Sequence, residues 1–131
     1  MLHEDITGKI INAFYKVYQN LGFGFLEKVY ENSMLIELNN LGLKAYSQKN
    51  IKVYYNKIEV GNYFADIIVN DKVIIELKTM KSLSPEHEAQ LINYLKATNI
   101  EVGLLLNFGQ KAEFKRKIFT NDKKLNPCKS V

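Results

Sequence analysis

The chain has 131 residues, 47% of them apolar and 24% charged, with a formal net charge of +4. That length is close to the commonest single-domain size and the balance is ordinary for a globular protein, which excludes disorder, collagen and coiled-coil rods as the main state. Cys128 is the only cysteine, so an intramolecular disulfide, an iron–sulfur cluster and a cysteine zinc site are excluded as well.

Met1 to Asp5 carry acid rather than base and lead into no apolar signal core; no secretory signal is expected. No apolar run approaches the roughly 20 residues of a membrane span, and the expectation is a cytoplasmic protein without a membrane partner. Ile6, Ile10, Ala13, Phe14, Val17 and Leu21 recur at helical spacing and predict a first helix over about residues 4–20, stopped by Gly22. After a Gly-Phe-Gly turn, Leu26, Val29, Tyr30, Ser33, Ile36 and Leu41 mark a second helix over about 26–40, stopped by Gly42.

Short segments rich in Val, Ile and Tyr follow. Strands are predicted at 43–48, 51–55 and 58–60, with breaks at Asn50 and Asn56-Lys57. Tyr63 to Val69 and Lys72 to Thr79 flank Asn70-Asp71 as a hairpin. Ser84-Pro85 is a helix-start pair, an N-cap serine before a proline, and opens a third helix over about 85–98. Glu101 to Phe108 reads as an apolar strand and Ala112 to Phe119 as a further one. The expected fold is therefore α/β: a single domain, with helices flanking a mixed central sheet.

Charge is unevenly spread. Residues 1–110 hold 11 Lys against 12 acidic residues, whereas residues 111–131 hold seven basic residues against two acidic ones. The excess lies around Lys111, Lys115, Arg116, Lys117, Lys123 and Lys124, a cluster suited to phosphates or simply to solvent. We divide the chain into a domain over 1–120 and a basic C-terminal tail over 121–131. All but one of the 18 basic residues are lysine, which favours backbone over base-edge contacts if nucleic acid is bound.

Three charges interrupt the two most apolar strands: Asp66, Glu76 and Lys78. Uncompensated charge is costly to bury, so these groups should be paired or should bind something. Glu76 and Lys78 are two apart and share a face. A two-residue loop at Asn70-Asp71 would turn Asp66 to the other face. A three-residue loop, Asn70-Asp71-Lys72, or an equivalent bulge, sets Asp66 opposite Glu76 and gathers all three, and that register is predicted. Facing carboxylates repel unless a cation lies between them. Oxygen ligands favour Mg²⁺ or Mn²⁺ over zinc, and the chemistry is then metal-assisted hydrolysis, with Lys78 beside the water. The plainer alternative is a structural ion pair among the three.

Asp66 followed by Glu76-Leu77-Lys78 resembles the catalytic motif of the PD-(D/E)xK nuclease superfamily. Gly24-Phe25-Leu26-Glu27-Lys28-Val29-Tyr30 resembles the signature of the GxxExxY protein family within it. Gln90-x-x-x-Tyr94 is similar to a motif of RecB-type exonucleases, and alanine rather than proline precedes Asp66. The resemblance implies a restriction-endonuclease-like core and a Mg²⁺- or Mn²⁺-dependent nuclease acting on nucleic acid, DNA before RNA. It implies Asp66 and Glu76 as metal ligands with the Leu77 carbonyl as a third, Lys78 as the catalytic lysine, and Glu27 as a helical acid aimed at the metal. It implies Gln90 and Tyr94 as substrate contacts. Tyr30, on one helix face with Glu27, is a third candidate contact or else a core residue. Superfamily nucleases of this size often dimerise, so a homodimer stays open. The alternative function is a non-catalytic nucleic-acid or protein-binding module that retains the nuclease fold.

Overall fold

The computed structural model describes residues 2–124. Two helices come first, α1 (Glu4–Leu21) and α2 (Glu27–Asn40). Three strands follow, β1 (Ala45–Tyr55), β2 (Ile58–Val69) and β3 (Val73–Lys78). Helix α3 (Pro85–Lys96) then leads to β4 (Val102–Phe108) and β5 (Ala112–Ile118), and a 3₁₀ turn at Asn121–Lys123 comes last. The strands form one mixed sheet in the order β1-β2-β3-β4-β5. Only β3 and β4 run parallel, with α3 as their crossover; the other pairs are antiparallel. This is the single-domain, restriction-endonuclease-like α/β architecture expected.

Burial on both sheet faces explains the apolar strands. Helices α1 and α2 cover one face, where Phe14, Tyr30 and Met34 pack on Ile67, Ile75, Leu77, Leu104 and Phe108. Helix α3 covers the other, where Leu91 and Leu95 pack on Ala65, Ile68, Ile74 and Leu105. Strand β4 is buried along its whole length, as a covered central strand must be. A Cβ at Gly103 would lie 2.7 Å from Leu91 Cδ1, so the missing side chain sets how closely α3 approaches.

Two features depart from the sequence expectation. Asn50 does not break β1, which runs unbroken through it to Tyr55. Gly61 and Asn62 likewise stay inside β2. Both strands belong to a long hairpin, in which the Asn50 side-chain amide donates to Asn62 Oδ1 across the pair. Its tip is the two-residue turn foreseen at Asn56-Lys57, with φ of 51° and 64°. The tail expected from residue 121 is divided: 121–124 fold back, with Lys124 Nζ donating to the Thr98 and Ile100 carbonyls, while 125–131 lie outside the described residues.

The β2–β3 connection has the foreseen register. Asn70 and Asp71 both have φ of 53°, and the Lys72 N–H donates to the Val69 carbonyl at 2.9 Å. The ladder nevertheless sets Val69 opposite Val73, one residue later, and continues through Ile67–Ile75. Extended one step, it sets Asp66 opposite Glu76.

Candidate active site

Past Ile67–Ile75 the β2–β3 ladder ends, and side chains replace backbone as partners. The Asp66 N–H donates to Glu76 Oε2 at 2.8 Å, and the Leu77 N–H donates to Asp66 Oδ2 at 2.7 Å. Each acid therefore ties down the other strand, and the two carboxylates stand together at the fork. Charged acceptors make such bonds stronger than neutral ones.

The β1–β2 pair is irregular at the same level. Ladder partners Ser47–Ile67 and Lys49–Ala65 flank Gln48 and Asp66. Ala65 and Ile68 pack on the α3 face, while Ile67 packs on the α1–α2 face. Strict alternation would have put Ala65 with Ile67, so the strands reverse their faces once, at Asp66. Gln48 absorbs the reversal with φ of 55°. Its amide Nε2 donates to Glu31 Oε1 at 2.9 Å, and the same side chain hydrogen-bonds the Asp66 carboxylate.

Helix α2 brings two acids to this place, Glu27 in its first turn and Glu31 one turn later. Glu31 is 5% exposed and also accepts from Lys28 Nζ at 2.9 Å. Glu27 is exposed and close enough to sense Asp66 and Lys78.

Electrostatics mark the cluster as short of positive charge. Desolvation, then the Asp66 carboxylate, pushes Glu76 up to about 8, against the pull of the Asp66 N–H and of Lys78. Desolvation also raises Asp66, opposed first by the Leu77 N–H. Glu27 is raised by desolvation and then by Asp66. Tyr94 on α3 is pushed up to about 12 by burial and then by Glu76 and Asp66. Its oxygen accepts from Gln90 Nε2 at 3.0 Å, which leaves the hydroxyl proton free to be donated. Raised proton affinities gathered in one place are a recurrent mark of functional sites.

Among the described residues no group of three His, Cys, Asp or Glu side chains stands ready as a metal cage. Two adjacent, desolvated carboxylates still fit a hard cation, since Mg²⁺ is commonly held by one or two carboxylates and keeps several waters.

The structure thus brings Glu27, Asp66, Glu76 and Lys78 together, with Tyr94 and Gln90 beside them. It does not bring Tyr30. That residue is fully buried, stacked on Phe108 at 4.2 Å, and its hydroxyl donates to the Gly22 carbonyl at 2.7 Å. The Phe25 N–H donates to the Tyr30 hydroxyl oxygen at 3.3 Å. Tyr30 is therefore a brace for the turn that launches Glu27, and the expectation that it contacts substrate is corrected. The Leu77 side chain is also in the core; only its backbone reaches the acids.

Sequence reading missed three residues. Gln48 and Glu31 gave no signal, because their meeting depends on a strand reversal and a helix docking far apart in sequence. Asn107 is fully buried in β4 and clamps the segment after Lys78, accepting from the Met80 N–H at 2.8 Å and donating to its carbonyl at 2.9 Å. An asparagine inside an otherwise apolar strand was a readable hint. His87 is a capping residue, its Nδ1 accepting from the Ser84 N–H at 3.1 Å.

A family model described as the PD-(D/E)XK nuclease superfamily matches residues 4–117. A solved structure titled "Crystal structure of SSO0001" is similar at 18% identity and a TM-score of 0.55, covering 72% of this chain and 50% of that one. This chain thus spans half the length of that structure, and the likeness concerns the fold. Comparison with curated proteins finds no match.

Proposed function

The chain belongs to the PD-(D/E)XK nuclease superfamily, and on that premise we propose that it is a nuclease that hydrolyses phosphodiester bonds of DNA with the help of Mg²⁺ or Mn²⁺. One observation carries the reading: the two carboxylates stand side by side at the strand fork, Glu76 held by the Asp66 N–H and Asp66 held by the Leu77 N–H. A structural ion pair would need no such arrangement of two acids with raised proton affinity.

Asp66 and Glu76 would hold the cation, the Leu77 carbonyl adding a neutral oxygen. When bound, such a cation polarises a phosphoryl oxygen and lowers the pKa of water. Lys78, on the Glu76 face of β3, orients the attacking water and stabilises charge developing on the phosphate. Glu27 accepts hydrogen bonds from water at the rim. Tyr94 donates its free proton to a phosphate oxygen, and Gln90 keeps that hydroxyl turned the right way. The segment Gly24 to Tyr30 further supports a place in the GxxExxY group.

The test is cleavage of end-labelled single-stranded, duplex and branched DNA in Mg²⁺ or Mn²⁺ by wild type, Asp66→Asn and Lys78→Ala. Metal-dependent cutting that both substitutions abolish is expected. Cutting that survives both would place the chemistry elsewhere. Binding without cutting on any substrate would favour a binding module on a nuclease fold.

A further inference from the structure

A groove of about 760 Å³ lies between α3 and the β1–β2 hairpin, lined among others by Tyr54, Tyr63, His87, Gln90, Asn93 and Tyr94. It is within the size range of small-molecule sites. Tyr94 lines this groove and also packs with Ala65 and Ile74 on the sheet face that Glu76 shares, where Glu76 and Asp66 raise its proton affinity. The two spaces therefore share a wall.

The second wall is Tyr63. It stands on β2 and is 47% exposed, with its ring centroid 5.8 Å from that of Tyr94 at an interplanar angle of 43°. Gly61 lets the ring lie down on the strand: a Cβ there would come within 3.1 Å of Tyr63 Cε2. The result is a positioned aromatic face open to the groove. Gln90 and Asn93 add side-chain amides, each able to donate and to accept. A phosphate alone would use none of this.

We propose that the groove receives an unpaired nucleobase, stacked on Tyr63 and edged by Gln90 and Asn93, from the strand whose phosphate lies at Asp66 and Glu76. The inference rests on the nuclease reading and names its substrate class: single strands or frayed ends rather than intact duplex. Aromatic faces accept any base, so the preference is for strandedness and not for sequence.

The experiment measures binding without cleavage. Fluorescence anisotropy is recorded in chelator and low salt with a labelled single-stranded 12-mer, the same 12-mer with abasic positions, and a blunt hairpin duplex. Wild type, Tyr63→Phe and Tyr63→Ala are compared; Tyr63 lies outside the core, and melting curves confirm that the variants fold. Wild type is expected to prefer the intact single strand. Tyr63→Ala and the abasic strand are each expected to weaken binding about tenfold, within the range for loss of one base–aromatic stack. Tyr63→Phe, which keeps the aromatic face, is expected to bind like wild type. Equal affinity for blunt duplex and single strand, or unchanged binding by Tyr63→Ala, overturns the proposal, as does no binding to any strand. The same samples are then given Mn²⁺: the single-strand pattern without cutting would retain the groove and remove the nuclease reading, whereas cutting of blunt duplex unaffected by Tyr63→Ala would do the reverse.

Discussion

Glu76→Gln isolates the electrostatic state of the site. Glu76 is 5% exposed, and desolvation followed by the Asp66 carboxylate raises it from 4.5 to about 8. Between those values the folded protein holds a proton that the unfolded chain has released. Stability from this group is then fully present below about pH 4.5 and is lost as pH rises through about 8. At about 1.4 kcal/mol per unit, the ionised carboxylate costs on the order of 5 kcal/mol in alkaline solution without metal. Glutamine keeps an oxygen for the Asp66 N–H, removes the charge and offers a donor to the Asp66 carboxylate. In chelator at pH 9 the variant is expected to melt on the order of 10 °C above wild type, and the two are expected to converge by pH 5. Millimolar Mn²⁺ is expected to raise wild type far more than the variant, because a ligand selective for the native state stabilises it. Coincident melting curves from pH 5 to 9, or a variant less stable than wild type in chelator at pH 9, would refute the reasoning.

Other substitutions probe the supports of the site. Tyr30→Phe keeps the stack on Phe108 but strips the Gly22 carbonyl of its donor; urea unfolding is expected to show a loss of about 1–2 kcal/mol, with slower cleavage as the Glu27 turn loosens. Asn107→Leu leaves the N–H and carbonyl of Met80 without their partner, and a loss of about 2–4 kcal/mol is expected by the same measurement. Gly109→Ala would drive a Cβ into the Met80 carbonyl oxygen; backbone must shift there, so both thermal stability and cleavage are expected to fall. Gln48→Ala sits on an exposed residue and is expected to change stability by less than about 0.5 kcal/mol. Loss of its bond to Asp66 is expected to weaken Mn²⁺ binding about tenfold, read from metal-dependent melting.

Much of the architecture was legible because burial leaves periodic marks. Helices α1 and α2 follow from apolar spacing, α3 from Ser84-Pro85, and β3 and β4 from runs too apolar for a half-solvated sheet. The fork at Asp66 and Glu76 was legible for a sharper reason. A three-residue loop or an equivalent bulge gathers Asp66, Glu76 and Lys78 where a two-residue loop does not, and charge in apolar strands demands company. What escaped depended on distance in sequence. Nothing near Gln48 announces a reversal of strand faces, and nothing near Glu31 announces Gln48 across the helix–sheet junction. The division of the long hairpin into short strands failed at Asn50, because its side chain pairs with Asn62 across the hairpin instead of turning the chain. Tyr30 was ambiguous by nature: its ring suits a core and its hydroxyl suits a ligand, and only the position of Gly22 decides between them.

The mutual hold of Asp66 and Glu76 makes two peptide protons witnesses to the chemistry. The N–H groups of Asp66 and Leu77 each end on a carboxylate oxygen of the other strand, so their environment changes whenever those acids gain a proton, lose one or share a cation. In a nitrogen–proton correlation spectrum these two signals are expected to move together along the titration of Glu76 and to move again when Mg²⁺ is added, with no substrate present. Alanine at either acid would also unfasten the strand opposite, so a dead enzyme made that way would confound lost chemistry with a frayed sheet. Asparagine and glutamine, which keep an acceptor for those protons, separate the two.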